Sequence, residues 1–255
     1  MTQPVLQVEG LRKVFTRKGH PDFTAVDGVS FSVMPGECVG LVGGSGCGKS
    51  TIAQMITRLL EPTEGSVRLM GIEVTGIRGA ALRDAMRNVQ MVFQNPASSF
   101  DPRRTLGEGI GEALRNAGMG KDEAHARAMS LLERCGLPVE FVDRYPRDVS
   151  GGQCQRAAIA RALAPDPALI ILDEATSALD VTVQAQIVEL LQDIRSERDA
   201  TFLFICHDLA LVQGFCDRVL VMRAGRVVEE GDAEQVIAHP QHSYTRQLVN
   251  AVLPV

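Results

Sequence analysis

Residues 37–60, ECVGLVGGSGCGKSTIAQMITRLL, pass from a buried-strand pattern through a glycine cluster into a helix, and they place the rest of the chain. Val39, Leu41 and Val42 form a short apolar run of the kind that a parallel strand covered on both faces requires. Glycine at 43, 44, 46 and 48 then removes side chains where backbone N–H groups must converge on an anion. The helix predicted over 50–60 turns its positive N-terminal end to the same point. The spacing Gly43-x-x-x-x-Gly48-Lys49-Ser50 matches the phosphate-loop pattern. In that pattern the lysine meets β- and γ-phosphates as a point charge, and the hydroxyl of Ser50 is a ligand to Mg²⁺. A tight turn with an incidental lysine is the alternative, and an eight-residue match set between strand and helix disfavours it. Nucleotide binding is the starting expectation.

Composition bounds the answer. A chain of 255 residues with 45% hydrophobic content can bury a full core and suits one large domain or a domain with a sub-lobe. The formal charge of -5, from 31 acidic and 26 basic residues, gives no general electrostatic reason to approach nucleic acid. Cys38, Cys47, Cys135, Cys154, Cys206 and Cys216 include no C-x-x-C pair, so neither a disulfide framework nor a zinc site has its usual spacing. Free thiols in a reducing cytosol fit best, with Cys47 and Cys154 read as small tolerated side chains rather than redox switches. No segment has a signal-peptide layout, and no run of about 18 apolar residues is present to span a bilayer.

In chain order, residues 5–14 alternate as an edge or antiparallel strand, followed by Phe15, an aromatic near the surface. By itself Phe15 reads as an edge-strand residue closing a small core. A second strand is predicted over 25–34 and another over 66–70, with residues 62–65 stopping the phosphate-loop helix. A short helix over 80–88 leads to a buried strand over 89–93, which ends on Gln94-Asn95-Pro96. Gln94 there is either a turn cap or a ligand to Mg²⁺ or to the attacking water. Helices over 105–116 and 121–135 form a helical insert, too short and irregular for a coiled-coil arm.

Ser150, Gly151 and Gly152 precede a helix from about 154 to 163 and make a second helix N-terminus able to meet phosphate. The strand over 168–172 is the most apolar in the sequence, and it delivers Asp173 and Glu174 to its carboxyl end, the edge where open parallel sheets bind ligands. Asp173 is expected to hold Mg²⁺ through its water shell and Glu174 to polarise the water that attacks the γ-phosphate. Residues 182–197 form an amphipathic helix assigned packing only. His207 stands at the end of a buried strand over 202–206, where it is either a structural histidine, the commoner case, or a donor to a γ-phosphate. A hairpin over 218–229 follows, then His239, His242 and Tyr244 and a helix from about 245 to 252; two histidines are too few for a metal site.

Together these residues resemble the ATP-binding cassette (ABC) ATPase family over almost the whole chain. GGSGCGKST (Gly43, Gly44, Ser45, Gly46, Cys47, Gly48, Lys49, Ser50 and Thr51) is similar to its Walker A. Val149-Ser150-Gly151-Gly152-Gln153 is similar to its signature motif, residues 169–174 to its Walker B with catalytic glutamate, and Ser177-Ala178-Leu179-Asp180 to its D-loop. Gln94 matches the Q-loop and His207 the switch histidine. The signature discriminates, since many phosphate-loop enzymes have both Walker elements and only this family adds S-G-G-Q. By this resemblance Phe15 stacks on adenine, Asp180 joins the nucleotide contacts, and ATP and Mg²⁺ are the cofactors.

The resemblance implies an α/β fold: a RecA-like core with a parallel sheet, an N-terminal antiparallel β subdomain, a helical subdomain at roughly 97–160 and a short helical tail at roughly 239–255. SSFDPRRT (98–105), the run 151–156 and the tail HPQHSYTRQLVNAVLP are similar to the peptide and nickel importer ATPases. Many peptide-type relatives continue into a longer tail with clustered cysteines. This sequence ends at Val255, so no iron–sulfur site is expected. The implied protein is a peripheral ATPase on the cytoplasmic face of the inner membrane, working with two transmembrane permease subunits, a second ATPase subunit and an extracytoplasmic solute-binding protein, without nucleic acid. The alternatives are a soluble ABC ATPase acting on nucleic acid or the ribosome, and a module that binds ATP without turnover.

Overall fold

The computed structural model describes residues 3–16, 18–176 and 179–252. The chain begins β1 (Leu6–Phe15), β2 (Phe23–Val33), β3 (Cys38–Gly43), α1 (Lys49–Ile56), β4 (Glu64–Leu69) and β5 (Ile72–Glu73). It continues through α2 (Gly79–Met86), β6 (Val89–Val92), α3 (Leu106–Asn116), α4 (Lys121–Arg134) and α5 (Gly151–Leu163), with 3-10 turns at Ala97–Ser99, Val139–Asp143 and Pro146–Asp148. The remainder is β7 (Leu169–Asp173), α6 (Val181–Arg198), β8 (Thr201–Ile205), α7 (Leu209–Phe215), β9 (Arg218–Arg223), β10 (Arg226–Asp232), α8 (Ala233–Ala238) and α9 (Ser243–Val252).

The strands make two sheets. One is antiparallel in the order β2-β1-β4-β5. β1 is therefore not an edge strand: it pairs with β2 on one side and β4 on the other, and its alternation reflects one covered face. The second sheet runs β10-β9-β3-β8-β7-β6, parallel from β9 to β6 and closed by antiparallel β10. Strand residues alternate between two cores, as the period-2 geometry demands. Val39, Leu41, Leu169, Ile171, Leu203 and Ile205 join α1 and the antiparallel sheet, whereas Val42, Ile170, Leu172, Phe202 and Phe204 join α3 to α7. Each such fully buried side chain contributes about 1.5–3 kcal/mol.

Local chemistry sets the helix starts. Thr105 and Glu108 form a reciprocal capping box at α3, and the carboxylates of Asp180, Asp208 and Asp232 cap α6, α7 and α8. Most boundaries shift by one or two residues from the sequence expectation, and a few by more. α1 stops at Ile56, where Thr57 Oγ1 donates back to Ala53 O at 2.9 Å and Arg58 takes a φ of +58°, while Glu64 and Gly65 belong to β4. α5 begins at Gly151 rather than near 154. β5, α7 and α8 are short elements that the pattern did not announce.

Candidate functional site

The sheet order brings the carboxyl ends of β6, β7, β8 and β3 side by side, so Gln94, Asp173 with Glu174, His207 and the phosphate loop share one edge. The loop turns through Gly48, whose φ of +109° and approach to Ala25 O, 2.4 Å from where a Cβ would sit, admit only glycine. Lys49 opens α1, a helix with no side-chain cap and no acidic residue in its first turn. The lysine is 4% exposed, and its Nζ donates to Gly43 O at 2.8 Å and Gly44 O at 3.2 Å and stands 4.0 Å from Glu174 Oε1.

Ser50 Oγ donates to Asp173 Oδ1 at 2.9 Å across the gap between α1 and β7. Burial pushes the Asp173 carboxyl above its ordinary value; the Ser50 hydrogen bond and Lys49 pull the other way, and neighbouring Glu174 adds to the rise. A buried carboxylate with a hydroxyl beside it is a hard oxygen pair that gains from a cation. Among the described residues no group of three or more His, Cys, Asp or Glu could hold a metal. That donor set fits Mg²⁺, which keeps waters and substrate phosphates rather than entering an all-protein cage. Glu174 follows with a φ of +48°, a conformation costing about 1–3 kcal/mol outside glycine, held by its N–H donating to Ile205 O at 2.9 Å. Gln94 Nε2 donates to Glu174 Oε2 at 2.9 Å.

Lys49, Ser50, Gln94 and Glu174 open on a cleft of about 460 Å³ that is also lined by Phe15, Ser45, Gly46, Thr51 and Phe23, with Asp173 buried behind Ser50 rather than on its wall. Phe23 was missed from sequence. It pairs with Phe15 directly across the β1–β2 ladder and is 59% exposed against 41% for Phe15, so two rings border the entrance. A phenylalanine two residues before the predicted strand was the available signal, but its meaning required the register. Lys13 Nζ stands 5.3 Å from the Phe15 centroid.

The remaining predicted residues lie elsewhere. His207 is exposed beyond β8 and does not line the cleft. Nor do Ser150, Gly151, Gly152, Gln153 and Asp180. Ser150 Oγ accepts from Gln153 N at 3.3 Å and Gln153 Oε1 accepts from Ser150 N at 2.9 Å, a capping box that sets the start of α5. The S-x-x-Q spacing carried this signal and went unread. Gly152 also lets α6 approach, since a Cβ there would lie 2.7 Å from Val183 Cγ1. Of the D-loop match, Ser177 and Ala178 lie outside the described residues, and Asp180 Oδ1 accepts from Val183 N at 3.0 Å. A second cleft of about 530 Å³ runs from Gln94 past Val149 and Gly151 to Leu179, so Gln94 borders both.

The family description ABC transporter matches residues 26–177. A Brucella ovis protein named for peptide import ATP binding is 44% identical over 250 residues, covering 98% of this chain and 78% of its own length. The oligopeptide transport ATP-binding protein OppF of Escherichia coli is 46% identical over 230 residues, covering 89% and 69%. Among solved structures, the dimeric post-hydrolysis state of the ATP-binding cassette MJ0796 bound to ADP and Pi superposes with a TM-score of 0.82 at 31% identity, covering 89% of this chain and 98% of that one. A phosphate loop, an acidic strand end and a capped S-G-G-Q helix joined by this sheet order accord with those matches, and the chain belongs to the ABC transporter family as an ABC-type ATPase.

Proposed function

We propose that the chain is the ATPase subunit of an ABC importer, binding ATP with Mg²⁺ and coupling hydrolysis to uptake of a peptide or related small solute. One observation carries the reading: Lys49, Glu174 and Gln94 meet in a single cleft with the phosphate loop behind them and two aromatic rings at its entrance. Lys49 and the loop amides hold the phosphates, Ser50 and Asp173 with Gln94 hold Mg²⁺, Glu174 orients and deprotonates the attacking water, and Phe15 stacks on the base. When bound, Mg²⁺ neutralises phosphate charge. His207 reaches the γ-phosphate when the site is loaded.

Ser150 to Gln153 do not line this cleft. A second ATPase subunit therefore supplies its own S-G-G-Q helix start and Asp180, in a head-to-tail pair with ATP between them; the dimeric form of the MJ0796 cassette supports this. Among the described residues no helix is long and apolar enough to cross a membrane. The likeness to import ATP-binding proteins supports two permease subunits that hold the chain at the cytoplasmic face, and an extracytoplasmic binding protein that selects the cargo. The helical subdomain at 97–160 and Gln94, which borders both clefts, pass the stroke to the permeases. The peptide and oligopeptide names of the two relatives favour peptide cargo over nickel.

The test is affinity purification of the tagged chain from the membranes of its own host, with phosphate release measured on the complex. Co-purifying multi-span permeases and MgATP hydrolysis abolished by Lys49→Ala are expected. Nucleic acid or ribosomal proteins in place of permeases would refute the importer reading, and absent turnover would refute the ATPase.

A further inference from the structure

The C-terminal helix α9 reaches the back of the phosphate loop. Gly44 N–H donates to Tyr244 Oη at 2.9 Å, a contact between residues 200 apart in sequence. The carbonyl of the same glycine accepts from Lys49 Nζ at 3.2 Å and from Cys47 N at 3.3 Å. The Gly44 residue is thus gripped at both ends, and it does not line the cleft. A Cβ at this position would lie 3.1 Å from the Tyr244 oxygen, a tight contact that would push the hydroxyl back by a few tenths of an ångström.

Tyr244 is itself fixed. The Arg223 guanidinium lies 4.9 Å from its ring centroid, and Tyr244 N donates to His242 Nδ1 at 3.1 Å. Just before α9, the N–H groups of Gln241 and His242 donate to the Glu229 carboxylate at 2.7 and 3.0 Å. Glu229 belongs to β10, β10 pairs with β9, and β9 pairs with β3, whose last residue Gly43 starts the loop. The contacts close a ring from β3 through the loop, Tyr244 and Glu229 back to β3.

We propose that Tyr244 is a positioning residue of the nucleotide site: its hydroxyl fixes the Gly44 peptide, and through it α9 sets the affinity of the loop for nucleotide phosphates. Glycine-rich backbone has wide conformational freedom, and a hydrogen bond from outside the loop removes part of it before phosphate arrives. The inference rests on the reading of this loop as a nucleotide site.

The test is Tyr244→Phe in the full chain, with ADP and ATP affinities measured by calorimetry, ATPase kinetics and thermal melting. Loss of one neutral hydrogen bond that pre-orders the loop predicts affinity weaker by about three- to tenfold and a KM increase larger than any fall in kcat, with only a small fall in melting temperature. Gly44→Ala, which crowds the hydroxyl, should weaken binding more in the Tyr244 background than in the Phe background. Equal affinity for wild type and Tyr244→Phe, additive effects of the two substitutions, or a lower melting temperature with unchanged KM would each overturn the proposal. If the wild-type chain binds no nucleotide, the functional reading fails first; if it binds and the phenylalanine variant binds equally, only this inference fails.

Discussion

Glu174→Gln separates chemistry from binding. Gln94 Nε2 donates to Glu174 Oε2 at 2.9 Å, and the amide oxygen of glutamine can continue to accept that bond. Glutamine also tolerates the φ of +48° about as well as glutamate, so the fold should be unchanged. The charge is what disappears. A general base contributes about 10²- to 10⁴-fold, so kcat should fall by that range. Lys49 Nζ stands 4.0 Å from the other carboxylate oxygen. Two unit charges at that distance attract by about 4 kcal/mol at an effective dielectric of 20, before discounting for the partial exposure of Glu174. Removing that competitor leaves Lys49 more available to phosphate, so ATP should bind as tightly as in wild type or more tightly. With hydrolysis slower than dissociation, a MgATP-bound dimer should accumulate. Phosphate release, calorimetry and light scattering on a sizing column measure the three effects. Turnover within about threefold of wild type, or loss of ATP binding, would refute Glu174 as the base; a strictly monomeric variant with bound MgATP would refute the shared site.

Phe15→Ala should weaken ATP by about 2- to 10-fold, the range of one aromatic stack, without lowering the melting temperature; equal affinity would remove Phe15 from the base contact. Asp173→Asn should raise the melting temperature at neutral pH in EDTA while abolishing Mg²⁺-dependent turnover. The Asp173 carboxyl titrates above its ordinary value because of burial, so the native state binds the extra proton and its contribution is present at low pH and lost as pH rises. The stability gap between variant and wild type should therefore close as pH falls toward about 3.9, and a constant gap would contradict the assignment. All six thiols are buried, and burial pushes Cys135 up to about 12 and Cys206 up to about 11. Native protein at pH 8 should thus react slowly with a thiol reagent and release all six only in denaturant; rapid labelling of Cys135 or Cys206 would contradict this packing.

The sequence was most legible where function is covalently local. Residues 43–51 form one consecutive glycine-rich turn, and Asp173 with Glu174 follow directly on an apolar strand, so spacing alone marked them as site candidates. Helix ends were less legible. Gly151 and Gly152 have poor helix propensity and read as a preface to α5, yet the Ser150–Gln153 box and the close approach of Val183 make them its first turn. The end of α1 depended on Thr57 bonding back to Ala53 and on Arg58 pairing with Glu61.

By itself, then, the chain order of residues determined a phosphate loop, an acidic strand end, an S-G-G-Q helix start and the family they resemble. Only the tertiary structure decided which of these meet. The strand order β3-β8-β7-β6 sets Gln94 against Glu174, the β1–β2 register puts Phe23 beside Phe15, and α9 folds back to bring Tyr244 to Gly44. Such contacts join residues far apart along the chain, and they are chosen by how apolar strand faces and helices share two cores, which no local spacing encodes.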